Sequence, residues 1–222
     1  VLSVTLSFFL CGFILYFSGV NPVKAYLDML SGAFGSSYAI SETLVKTIPL
    51  ALCALGVATA FKIGLWNIGA EGQLYMGAMA ATFIALNFHN SLPLVVIPLM
   101  VLAGCFAGGL WGFVAGALKA FFQANEVITT LMLNYIAIYF VDYLIYGPWK
   151  DPNGYGFPMT VAFPASAKLP VIGGTRVHMG LLFVIFCVII LLIIFNRTKW
   201  GYELSLIHIS EPTRLLSISY AV

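Results

Sequence analysis

The chain has 222 residues, of which 61% are hydrophobic and 8% charged, with a formal net charge of +2 and a mean hydropathy of +1.01. A soluble domain carries about 25% charge to keep its surface hydrated. A third of that excludes a soluble enzyme, a disordered chain and a nucleic-acid binder.

In lipid every backbone polar group must be satisfied within the protein, which leaves helices or a closed barrel. A barrel would alternate apolar and polar residues along short segments. This sequence instead has charge-free runs, among them 47–61, 72–118, 127–141 and 177–196. The expectation is an all-α polytopic membrane protein with about six spans, each needing about 20 apolar residues.

Residues 1–19 supply the first span. Asn21 and Pro22 read as an N-cap followed by Pro at the first helical position. Val23, Tyr26, Leu27 and Leu30 then recur at helical spacing, which predicts a short amphipathic helix at the membrane surface, ended by Gly32, Gly35 and the serines beyond. A second span begins at Ser41 as its cap and runs to about Ala60, with a kink at Pro49.

Residues 61–73 join two spans without a hydrophilic loop, yet are rich in glycine and polar groups. Irregular backbone at membrane depth is tolerated only when buried in protein or lining a wet cavity. This stretch is expected to be a broken, re-entrant element, non-helical or kinked from Asn67 to Gln73. Asn67, Gly69, Glu71, Gly72 and Gln73 are its candidates for a solute pathway. Glu71 could equally cap the broken helix.

The third span ends near Asn87, and His89, Asn90, Ser91 and Pro93 make a turn. The fourth span covers about 94–117. It carries Gly104, Gly108, Gly112 and Gly116, one helical face on which another backbone can approach closely. Lys119 to Glu126 is a short polar connection in which Lys119, Asn125 and Glu126 are cytoplasmic-loop candidates. Glu126 opens the fifth span, about 127–146, where a carboxylate complements the positive end of the helix dipole. Asn134, in mid-span, reads as an interhelical hydrogen-bonding residue, and Asp142 as a snorkelling residue near the span's end.

A proline-rich loop covers 147–177, and the sixth span is 179–195. Alternation puts Lys62, Lys119, Arg197 and Lys199 on one side, which the positive-inside rule makes cytoplasmic. Lys24, Lys150, Lys168 and Arg176 fall on the other, so charge alone decides weakly.

No catalytic or metal-binding pattern and no phosphate-cradling Gly-x-x-x-x-Gly-Lys-Ser/Thr run is present. Cys11, Cys53, Cys105 and Cys187 lie singly in apolar runs and read as core residues. His89, His178 and His208 are isolated.

The run Ala60-Phe-Lys-Ile-Gly-Leu-Trp-Asn-Ile-Gly-Ala-Glu-Gly-Gln73 resembles a signature of bacterial ABC-importer permeases of the branched-chain amino acid, ribose and simple-sugar type. The nucleoside branch is the nearest in motif. Residues 116–136, the run Asn21-Pro-Val-Lys-Ala-Tyr26, the segments 32–35 and 42–44, and Thr198-Lys-Trp-Gly-Tyr-Glu-Leu204 fit the same branch.

The resemblance implies half of a transmembrane pathway for a nucleoside or simple sugar in the bacterial plasma membrane. A lipoprotein or periplasmic solute-binding protein would deliver the solute. ABC ATPase subunits would bind ATP, so no cofactor is expected in this chain. A second permease subunit would complete the pathway, in a heterodimer or, as the alternative, a homodimer. The competing function is a secondary transporter or channel for a small polar solute, with Glu71 as its coupling group.

Residues 1–204 thus form a partial permease domain. The chain begins inside an apolar run, as expected at a fragment boundary. Residues 205–222 break with the family pattern and look like translated sequencing-adapter sequence.

Overall fold

The computed structural model describes residues 2–88, 91–199 and 201. Its described residues form seven α-helices and one 3-10 turn. They divide into two compact units, one of Val1–Pro49 with Val171–Leu181, the other of Leu50–Pro170 with Leu182–Val222.

In the first unit, α1 (Leu2–Phe17) and α2 (Pro22–Phe34) follow the apolar run and the amphipathic stretch. Asn21 caps α2 as expected, its side-chain oxygen accepting from the backbone N–H of Val23 and Lys24. The two helices bend by 115° at the break. Tyr26 holds the bend, donating its hydroxyl to the Phe8 carbonyl at 2.6 Å and packing edge-on against the Phe8 ring.

Helix α3 (Ser37–Lys62) starts earlier than expected. Ser36, not Ser41, supplies the capping oxygen, accepting from the Ala39 N–H at 3.1 Å. Ser41 lies buried in the next turn and donates to the Ser37 carbonyl. Several serines precede the apolar run, and the one whose hydroxyl meets a free N–H takes the cap. The helix is continuous through Pro49, where the two units meet along the chain. Arg176 closes the unit with a 2.7 Å ion pair to Glu42 and a hydrogen bond to the Tyr38 hydroxyl.

The second unit is built on α4 (Ala70–Asn87), α5 (Pro93–Phe122) and α6 (Glu126–Tyr146), with the later part of α3 and most of α7 (Gly180–Arg197). The α4–α5 contact is its most extensive pairing. A Cβ at Gly77 would stand 3.0 Å from the Gly104 carbonyl oxygen, and one at Gly104 3.3 Å from that of Gly77. The two backbones touch, which side chains would prevent.

The expected connection 119–126 shrinks to three residues, because Gln123 adopts a left-handed conformation (φ 54°) that ends α5. Its N–H reaches the Lys119 carbonyl and the next N–H that of Leu118. Part of the loop 147–177 folds back as a 3-10 turn, Ala165–Ala167, whose Ala167 packs with Ala85 and Val96.

Four helices, α3, α5, α6 and α7, are long and apolar enough to cross a membrane, and α1 with α2 counts as a fifth if the bent pair is one span. Helix α1 alone has 16 residues, about 24 Å at 1.5 Å per residue, short of a ~30 Å hydrocarbon core. Helix α4 carries Glu71, Gln73 and Asn87 and is not among the four. Every one of the six expected spans is nonetheless a helix. Lys62 lies 4.3 Å from the Phe195 ring, which sets the end of α3 beside the end of α7. His89, Asn90, His208 and the tail 205–222 lie outside the described residues.

Candidate functional site

Between α3 and α4 the chain is non-helical from 63 to 69. Asn67 organises this link, its Oδ1 accepting from the Gly69 N–H at 2.9 Å. Helix α4 then begins at Ala70, and the Gln73 N–H closes the first turn on the Gly69 carbonyl. The expectation of irregular backbone as far as Gln73 is therefore corrected: Ala70 to Gln73 are helical. Once past Gly69, Ala, Glu and Gln are good helix formers, and Glu71 sits in the first turn, where a carboxylate meets the positive dipole end.

Asn134 secures the link from the opposite helix. It is 5% exposed in mid-α6. Its Oδ1 accepts from the Gly72 N–H at 2.8 Å, and its Nδ2 donates to the Ile68 carbonyl at 2.9 Å. The Gly72 N–H is one of the helix-start donors that lack a partner within their own helix. One carboxamide thus satisfies both an orphan donor of α4 and a carbonyl of the link. A Cβ at Gly72 would fall 2.8 Å from Asn134 Oδ1, and one at Gly69 would fall 3.0 Å from Thr130 Cβ. Both glycines let α6 come close enough for the brace. Thr130, Asn134 and Ala137 are the buried residues of α6, one face at helical spacing.

The glycine stripe of α5 divides. Gly104, Gly108 and Gly112 face α4: a Cβ at Gly108 would stand 3.0 Å from the Gln73 carbonyl oxygen, and one at Gly112 3.0 Å from Gln73 Nε2. Gly116 has nothing within 4 Å of its Cβ position among the described residues and borders open space.

That space is a cavity of about 120 Å³ where the link meets the starts of α4 and α6 and the end of α5. Trp66, Asn67, Gln73, Gly116 and Thr130 line it, together with the ion pair of Lys119 and Glu126 at 2.7 Å. Asn125 caps α6 beside it, accepting from Val127 and Ile128. The cavity gathers Asn67 and Gln73 with two residues that sequence placed in a separate loop, Lys119 and Glu126. Glu71 is exposed and is not part of the lining, while Gly69 and Gly72 support it from behind. Among the described residues no group of three or more His, Cys, Asp or Glu could hold a metal ion.

Sequence reading missed Gly77, the partner of Gly104, and the link between Asn134 and Gly72. Small-residue enrichment in 77–81 was the available signal for the first. For the second, sequence marked Asn134 as an interhelical hydrogen-bonding residue but not its partner, which lies 62 residues away.

Residues 39–213 match the permease component of the branched-chain amino acid transport system. The chain is 36% identical to the glucose ABC transporter permease protein TsgB13 of Haloferax volcanii, over 93% of this chain and 57% of that one. It is 34% identical to the nucleoside ABC transporter permease protein NupB of Lactococcus lactis, over 92% and 58%. It is 35% identical to the guanosine ABC transporter permease protein NupP of Bacillus subtilis, over 86% and 55%. The chain therefore spans a little over half the length of these relatives. No solved structure matches it.

Proposed function

The chain belongs to the permease family of the branched-chain amino acid transport system, and from that premise we propose that it is the transmembrane permease subunit of an ATP-driven ABC importer. It is a multi-pass membrane protein, with four helices long and apolar enough to cross a bilayer. In this reading it moves a nucleoside or simple sugar across the bacterial plasma membrane, taking the solute from a lipoprotein or periplasmic solute-binding protein. Separate ATPase subunits bind and hydrolyse ATP, and this chain holds no cofactor. A second permease subunit completes the pathway, as a heterodimer in preference to a homodimer.

The family match over residues 39–213 carries the reading. The relatives' names, one for glucose and two for a nucleoside or guanosine, support the solute class. The reading is supported by the link 63–69 between α3 and α4, where Asn134 of α6 bonds the Gly72 N–H and the Ile68 carbonyl, as irregular backbone at membrane depth would require. The secondary-transporter alternative relied on Glu71 as an intramembrane coupling group, and Glu71 lies outside the cavity.

Reconstitution in proteoliposomes with the ATPase subunits and the solute-binding protein tests the proposal. Uptake of labelled guanosine or glucose should require ATP hydrolysis and stop when the ATPase subunit is made hydrolysis-deficient. Uptake that persists without hydrolysis and follows a proton gradient would refute it.

A further inference from the structure

Resting on the permease reading above, we infer that Gln73 contacts the transported solute, its carboxamide meeting an adjacent donor and acceptor on a neutral solute such as a vicinal diol or a nucleobase edge. The side chain lies in the cavity, across from Gly112, whose missing Cβ leaves room for it 3.0 Å from Nε2. Among the described residues its side-chain bond is one from Nε2 to Asn67 Oδ1 at 3.5 Å, the outer limit of a hydrogen bond. Asn67 Oδ1 is already held by the Gly69 N–H at 2.9 Å. Oε1 and a second N–H of Gln73, a lining residue of the cavity, are thus uncommitted.

The backbone beneath them is fixed. The Gln73 N–H bonds to Gly69, its carbonyl lies against Gly108, and the adjacent Gly72 N–H is held by Asn134. A fixed backbone removes part of the ordering cost of binding and leaves only the side-chain torsions for the solute to order.

The class of solute follows from charge and size. Lys119 and Glu126, the charged residues of the lining, neutralise each other at 2.7 Å, so the cavity favours a neutral solute over an ion. Its volume of about 120 Å³ holds roughly four waters at ~30 Å³ each. That accommodates one end of a sugar or nucleoside.

Uptake in the reconstituted importer, at equal membrane levels, tests this assignment. Gln73→Leu is expected to lower the maximal rate at least tenfold. The solute-binding protein sets KM, which should stay unchanged, and the loaded binding protein should still stimulate the ATPase. Gln73→Glu, isosteric with the native side chain, distinguishes the two sources. A sugar hydroxyl can rotate to donate to either carboxylate oxygen, so glucose uptake survives if a diol is contacted. A nucleobase edge keeps its acceptor fixed, so guanosine uptake falls tenfold if the base is contacted. Gly112→Ala, which pushes on Nε2 from the opposite wall, should slow uptake severalfold. A Gln73→Leu rate within twofold of the wild type would overturn the assignment. So would loss of ATPase stimulation together with uptake in every Gln73 variant, the mark of a purely structural role. Wild-type dependence on ATP hydrolysis is scored separately, so the permease reading and the Gln73 assignment can fail independently.

Discussion

Asn134→Leu isolates the brace between α4, the link and α6. The substitution puts an apolar side chain of similar size in place of the carboxamide and leaves the Gly72 N–H and the Ile68 carbonyl without the bonds they make at 2.8 and 2.9 Å. An orphaned buried polar group costs about 1–3 kcal/mol. Interhelical bonds in membranes average nearer 0.6 kcal/mol each, because the unfolded chain also finds partners. Two groups therefore set a floor of about 1.2 kcal/mol and a ceiling of about 6. Asn134 is almost wholly buried, so water cannot replace the lost bonds. A Leu methyl in the place of Oδ1 would also press on the Gly72 backbone nitrogen, which lies 2.8 Å from that atom. The expected loss is about 2–4 kcal/mol, allowing for that overpacking. Equilibrium unfolding in mixed micelles measures it, with the exposed neighbour change Ile136→Leu as control. A difference between the two variants within the ~0.5 kcal/mol typical of surface changes would refute the brace.

The α5 stripe gives a paired prediction. Gly108→Ile should cost about 1–3 kcal/mol by forcing α4 away, whereas Gly116→Ala, whose Cβ meets open space, should raise stability by about 0.5–1 kcal/mol through helix propensity. Lys119→Met and Glu126→Gln should change unfolding little, because the pair is partly exposed and solvent screens it; a large loss for either would mark the pair as structural. Tyr26→Phe removes the bond to the Phe8 carbonyl and should cost about 0.5–1.5 kcal/mol, detectable as earlier proteolysis between α1 and α2.

Local chemistry determined much of this protein. The apolar runs became helices because a backbone in lipid has few other ways to satisfy its polar groups. Asn21 was legible as a cap because a cap bonds to N–H groups two and three residues ahead; Asn125, read as a loop residue, caps α6 in the same way. The α5 stripe was legible because glycines four residues apart share one face. A non-helical stretch near Asn67 was legible from its glycine and polar residues, although its end at Gly69 was not. The choice of Ser36 over Ser41 as the α3 cap also escaped sequence, because adjacent serines compete on equal terms until the helix start is set.

Tertiary structure decided which distant surfaces meet. It paired Gly104 with Gly77, left Gly116 facing a cavity, brought Asn134 to Gly72 across 62 residues, and kept Glu71 out of the space that Gln73 enters. The reason is geometric. Periodicity reveals that a helix has a small or polar face, but the crossing of two helices selects which turn of that face touches the neighbour. One turn further along, as from Gly112 to Gly116, the same glycine borders empty space instead of a backbone.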